Sequence, residues 1–124
     1  MLGLWRKLLG SRGERAASTL LKRTGHRILA RNYRCPAGEI DLITLDGATL
    51  VFVEVKTRSS DAFADPEQGV DFHKQRRIIR AAECYRQIKG AQAYPCRFDV
   101  VSVVMQPNRR PKAHHIRDAF TIED

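Results

Sequence analysis

The stretch from Gly38 to Arg58, GEIDLITLDGATLVFVEVKTR, constrains this chain more than any other. Two apolar runs, residues 39–45 and 49–58, flank Asp46-Gly47. Asp-Gly supplies the positive φ values of a type I′ turn, so the segment reads as a β-hairpin. Alternation puts Leu50, Phe52, Glu54 and Lys56 on one face of the second strand, and Val51, Val53, Val55 and Thr57 on the other. Both faces begin apolar, as expected for a strand covered on both sides. A loop made of Asp46 and Gly47 sets Asp41 opposite Phe52 and Glu39 opposite Glu54. Asp41, Glu54 and Lys56 then share a face, with the two acids diagonal neighbours roughly 7 Å apart. A slip of one residue would turn Asp41 to the other face.

Carboxylates converging at the end of a half-buried sheet repel one another, and burying them unpaired is costly. Lys56 neutralises one. A hard divalent ion such as Mg²⁺ or Mn²⁺ takes carboxylate oxygens, carbonyls and waters together, and so suits the pair better. The structural alternative is a Glu54–Lys56 ion pair on an exposed sheet margin with Asp41 solvated. Glu-x-Lys alone is common enough to favour that account. An Asp, a turn-containing spacer and Glu-x-Lys closing a continuous apolar run make a much rarer conjunction.

The surrounding pattern predicts an α/β domain. Ala16, Ala17, Leu20 and Leu21 share one arc of a helix from Arg12 to about Thr24, closed by Gly25. Arg15, Lys22 and Arg23 fall on its far side. Glu14 lies beside Leu21 at the margin of the apolar arc and leans toward the core, where it offers a third oxygen if the helix crosses the sheet nearby. A first strand is expected over 26–34, a loop at CPAG, and another loop over 59–69. A second helix runs from about Val70 to Ile88 on the spacing of Ile78, Ala81, Ala82, Tyr85 and Ile88, ended by Gly90. RFDVVSVVMQ (97–106) is apolar on both faces and reads as a central strand. PNRRPK is a turn, and HHIRDAF a final short strand or docking segment.

At 124 residues the chain fits one domain with a real core. Its net charge of +8 is concentrated: residues 1–34 hold nine Lys/Arg against Glu14, while the remainder is balanced. Such a patch attracts phosphate backbones or anionic lipid headgroups, or is simply a solvated helix surface. Cys35, Cys84 and Cys96 are widely spaced without a zinc pattern, which predicts reduced thiols and a cytoplasmic location. The opening MLGLWRKLLG lacks the uninterrupted apolar region of a secretory signal and predicts a frayed terminus, with a membrane-surface helix as the weaker option.

Several single residues have plain structural roles to weigh. His114 and His115 point to opposite faces of a strand, so one packs and the other is exposed. Asp99, in an apolar strand, is expected to be tied to an Arg or to backbone donors. His73 is expected at the surface, and Glu39 is exposed or stands behind the site. Trp5 and the tyrosines are too sparse within the basic segments to form a base-stacking platform.

The hairpin acids and lysine resemble the PD-(D/E)xK nuclease superfamily, and nearly the whole chain resembles the YraN-type bacterial family, itself similar in outline to archaeal Holliday junction resolvases. The matching stretches are RGERAAS, ILARNYR, GEIDLI, LVFVEVKTR, RFDVV and HIRDAF, in order over residues 12–120. The resemblance implies a restriction-endonuclease-like fold with an αβββαβ core over residues 12–124, preceded by an extension of residues 1–11. It implies that Asp41, Glu54 and Lys56 are catalytic and that Glu14, Asp41, Glu54 and the Val55 carbonyl hold Mg²⁺ or Mn²⁺. Ile40 stands where many members carry the Pro. Arg12, Arg15, Lys22, Lys74 and Arg77 are the expected nucleic-acid contacts; Lys74 resembles a position near the acidic site. The implied function is metal-dependent hydrolysis of DNA phosphodiesters, in branched or damaged DNA, by a homodimer on analogy with resolvases. A non-catalytic nucleic-acid-binding module is the main alternative, and a membrane-surface adaptor a third.

Overall fold

The apolar runs become five strands of one mixed sheet, with one helix on each face. The computed structural model describes residues 2–60 and 70–122, and of residues 2–10 the backbone only. In chain order the elements are α1 (Leu2–Arg23), β1 (Arg27–Cys35), β2 (Gly38–Asp46), β3 (Thr49–Ser59), α2 (Phe72–Ile88), β4 (Cys96–Met105) and β5 (Lys112–Phe120). The sheet order is β1-β2-β3-β4-β5. β3 and β4 are parallel, joined by the α2 crossover, and the other neighbours are antiparallel. No helix among the described residues is long and apolar enough to cross a membrane.

α1 starts ten residues before the helix expected from Arg12, because Leu, Arg and Lys between Leu2 and Leu9 are good helix formers with no Pro to interrupt them. It stops where expected. Gly25 sits at φ +95°, its N–H bonds to the Lys22 carbonyl, and the His26 N–H bonds to the Leu21 carbonyl, the paired bonds of a Schellman stop. α2 starts at Phe72 rather than Val70, because Asp71 caps it by accepting the Lys74 N–H at 2.9 Å. The CPAG loop shrinks to Pro36-Ala37, since Cys35 already pairs with Gly38. HHIRDAF is a strand, part of β5. The loop expected over 59–69 lies mostly outside the described residues.

The central hairpin differs from the predicted register. Asp46 pairs with Thr49, so the two-residue loop is Gly47-Ala48, not Asp46-Gly47. Gly47 alone takes a positive φ, +61°, the pattern of a II′ rather than a I′ turn. Phe52 therefore faces Ile43, not Asp41. The shift is two residues, the side-chain period of a strand, so the paired residues Leu42–Asp46 and Thr49–Val53 keep their predicted faces, whereas Ile40, beyond the pairing, packs with Phe52 instead of with Val53.

β3 and β4 carry the core on both faces. Phe52 and Phe98 stack at 5.6 Å on the α2 side and pack with Ile43, Ile78, Ala81 and Tyr85. Val51, Val53, Val101 and Val103 meet Ala17 and Leu21 of α1 on the other. Each such side chain contributes about 1.5–3 kcal/mol on burial. Gly13 sets the α1 approach: a Cβ there would lie 1.9 Å from Thr57 Oγ1.

Where α1 ends, the same face carries a buried polar network. Asp99, 0% exposed, accepts from His115 Nε2 at 2.6 Å, from Arg97 Nε at 3.1 Å and from the Asp118 N–H at 3.1 Å. Asp118 reaches it through a positive φ of 50° at a break in the β4–β5 pairing. Arg97 also pairs with Asp46 at 2.9 Å, and His26, edge-on to His115, contacts Thr44 Oγ1 at 2.8 Å. Asp99 is thus held by an Arg and a backbone donor. His115 packs while His114 is exposed.

Two substitutions test these packing arguments by urea denaturation. Gly13→Ala is expected to lose about 1–3 kcal/mol by overpacking against Thr57, with Thr57→Ala in the same chain recovering part of the loss. Asp99→Ala is expected to lose about 3–5 kcal/mol, since it leaves Arg97 partly buried without one of its carboxylates.

Candidate active site

β2 and β3 stop pairing beyond Leu42 and Val53. Just past that point Asp41 lies beside Val55 and close enough to Glu54 to feel its charge. The strands diverge here, and Asp41 Oδ2 accepts the Val55 N–H at 2.8 Å in place of a ladder bond. Its position therefore follows from a backbone need as well as from strand alternation. Glu54, 6% exposed, continues the Phe52 face toward α2. There Lys74 Nζ meets its Oε1 at 2.6 Å.

Lys56 occupies the same face and lies close enough to Lys74 for their amines to interact. Burial and the neighbouring Lys74 charge pull the Lys56 ammonium below its ordinary pKa, against the pull of Glu54 and Asp41. Burial works against the Lys74 ammonium too, but Glu54 and Asp41 outweigh it and hold its pKa above the ordinary value. Asp41 is pushed up to about 7, first by burial and then by the Glu54 carboxylate, with the Val55 N–H opposing and Glu14 adding a smaller push. At neutral pH this carboxyl shares its time between acid and anion.

Glu14 is half-buried on α1, next to the Gly13 contact with β3, and the Asp41 carboxyl feels its charge. Among the described residues, however, no group of three His, Cys, Asp or Glu side chains stands close enough to hold a metal ion together. The structure brings Asp41 and Glu54 together with both lysines, and sets Glu14 at longer range.

The five expected phosphate contacts divide among three surfaces. Lys74 and Arg77, with Arg34, line a cavity of about 420 Å³ between β1, β2 and α2. Arg12 and Arg15 line a groove on the opposite face of the sheet. Lys22 borders a third concavity beside Ile28 and Arg31. His73 is exposed, and exposed Glu39 pairs with Arg34 at 3.2 Å. Tyr85 and Tyr33 meet edge-to-face at 5.3 Å within the α2-side core. The side chain of Trp5 lies outside the described residues. Cys35, Cys84 and Cys96 are free thiols.

The direct partnership of Lys74 with Glu54 was not readable as such from sequence. The sequence signals for Lys74 are its place one turn before Ile78 and its resemblance to a position near the acidic site; neither names Glu54 as its partner.

The Asp41 environment has a signed consequence for stability. Its folded-state pKa lies above the unfolded value, so between about pH 4 and 7 the folded protein keeps a proton that the unfolded chain releases. That contribution is complete below the unfolded pKa and is lost as pH rises through 7. Asp41→Asn keeps an oxygen for the Val55 N–H without the charge. In EDTA, the variant is expected to melt a few degrees above the unsubstituted protein at pH 8 and to lose that advantage near pH 4. An advantage independent of pH would show that the carboxylate is not strained by burial.

Comparison with known proteins places this chain in a wider set. The sequence family described as "Uncharacterised protein family UPF0102" matches residues 13–103. A UPF0102 protein of Caldanaerobacter subterraneus is 43% identical over 117 residues, covering 93% of this chain and 96% of the relative. One from Symbiobacterium thermophilum is 47% identical over 112 residues, covering 90% and 95%, and one from Geobacter sulfurreducens is 42% identical over 116 residues, covering 94% and 91%. The matched region spans α1 from Gly13 through most of β4, with Glu14, Asp41, Glu54, Lys56 and Lys74 inside it, and the chain belongs to the uncharacterised family UPF0102.

Proposed function

We propose that the protein is a Mg²⁺- or Mn²⁺-dependent endonuclease that hydrolyses DNA phosphodiester bonds, built on a restriction-endonuclease-like form of the α/β fold in the PD-(D/E)xK superfamily. The observation that carries this is the placement of half-buried Asp41 beside buried Glu54 at the divergence of β2 and β3, with the Asp41 carboxyl forced up to about 7. Such a pair calls for more positive charge than Lys56 and Lys74 supply. Its donors fit a hard dication: two carboxylates, with the Val55 carbonyl on the intervening backbone and waters to complete the shell.

Asp41 and Glu54 would hold the ion, and Glu14 would reach it through water. A dication bound there supplies Lewis-acid polarisation of the phosphodiester and a water of lowered pKa. Lys56, its own pKa depressed, orients that water or stabilises the developing negative charge. Lys74 shares the Glu54 carboxylate with any such cation, so the two compete for it. Arg34 and Arg77, lining the cavity with Lys74, accept the neighbouring phosphates. In-line attack leaves a 5′-phosphate.

A nucleic-acid-binding module without turnover is favoured by one specific observation: the short Lys74–Glu54 ion pair already partners one of the two acids. Purified protein assayed on linear, nicked and branched DNA with Mg²⁺ or Mn²⁺ separates the two. Cleavage is expected, and Asp41→Asn and Lys56→Ala are each expected to reduce it by at least about 100-fold while DNA binding persists. Cleavage that survives both substitutions would place the chemistry elsewhere. Salt-sensitive binding with no cleavage of any substrate would favour the module.

A further inference from the structure

The groove on the α1 face is built differently from the cavity beside Glu54. Arg12, Arg15 and Arg23 lie along one stripe of α1, and Arg110 in the β4–β5 turn faces them across a concavity of about 490 Å³. All four are exposed, and none forms an ion pair among the described residues. Among the described residues no acid lines the groove, whose floor is Ala16 and Leu20 on one side and Pro111 and Ala113 on the other. Four unpaired guanidinium groups converging on one concavity repel each other, and a polyanion relieves that repulsion.

We infer that this groove is a second phosphate-binding track, which seats the backbone of one nucleic-acid strand on the face of the sheet opposite Lys74 and Arg77. The span fits: Arg12 to Arg23 covers about 16 Å of helix at 1.5 Å per residue, long enough to meet more than one phosphate of a strand. Guanidinium groups suit phosphate oxygens because they bind them in a bidentate fork. Thr19, in the same lining, adds a hydroxyl between Arg15 and Arg23. The track has a direction as well. Arg12 adjoins Gly13 and Glu14, where α1 touches Thr57 near the acidic pair, and Arg23 lies at the far end of the helix. A strand seated here therefore leads away from the candidate site. The recessed apolar floor disfavours a lipid surface, which meets apolar groups that protrude.

The inference rests on nucleic acid being the ligand, though not on hydrolysis, so it is tested by binding in EDTA. Anisotropy of a fluorescein-labelled 30-base-pair duplex and a 20-nucleotide single strand is titrated over 50–300 mM salt. Arg15→Gln and Arg110→Gln are each expected to weaken binding 3- to 10-fold and to lower the salt slope by about one, and by about two together. Arg80→Gln, an exposed change on α2, is expected to leave both quantities unchanged. Unchanged affinity and slope in the double variant, with the unsubstituted protein binding, would overturn the track and leave the proposed chemistry standing. Failure of the unsubstituted protein to bind either DNA, with sedimentation on phosphatidylglycerol vesicles lost in the double variant, would overturn it in favour of a membrane surface. Absence of cleavage with the expected binding results would leave the track intact.

Discussion

The bond from the Val55 N–H to the Asp41 carboxylate is the constraint on which the candidate site depends. Where β2 and β3 separate, the backbone donor of Val55 loses its ladder partner and would be costly to leave unsatisfied. Asp41 supplies the acceptor. In doing so it is fixed beside Glu54, whose aliphatic stem continues the buried Phe52 face. One strand divergence thereby creates a structural need and an electrostatic problem together. The proximity of the two acids, and the cations drawn to them, follow from that geometry.

The two helices supply the site from opposite faces of the sheet. α2, held by Ile78, Ala81, Ala82 and Tyr85, presents Lys74 to Glu54 from its first turn. α1 is brought against β3 at Gly13, where the absence of a side chain allows the contact, and so carries Glu14 toward the same end. At the far end of the α1 face, Asp99 gathers Arg97, His115 and the Asp118 N–H into a network with a carboxylate at its centre. The contrast is instructive. Asp99 stays below its ordinary pKa because three donors outweigh its burial, whereas Asp41, with one backbone donor and an acid for a neighbour, is driven up. Asp99 is the more fully buried of the two, yet it keeps its charge, because its donors matter more than its exposure.

The hairpin shows how far sequence reasoning reaches. Strand alternation placed Asp41, Glu54 and Lys56 on one face, and that survived a wrong turn assignment because the error was two residues. The turn itself was misread because Asp-Gly favours positive φ at both loop positions, while here the strands continue pairing as far as Asp46 and Thr49. Lys74 was harder still. A lysine on a basic helix flank is ordinary in sequence, and only the crossover from β3 through α2 brings its amine to Glu54. The early start of α1 was missed because Arg6 and Lys7 disguise an apolar pattern without lowering helix propensity.

What the sequence by itself determined is therefore local and periodic: one helix before a β-hairpin, a second helix, a doubly buried strand, the faces on which the charges lie and the concentration of positive charge toward the N-terminus. Those properties depend on spacing along the chain. Tertiary structure alone decided the order β1-β2-β3-β4-β5, the point where β2 and β3 part, the choice of Lys74 as the partner of Glu54, and the division of the basic residues between opposite faces of the sheet. Each of these joins residues far apart in sequence, and their distance is set by packing of both helices on one sheet, which no local pattern encodes.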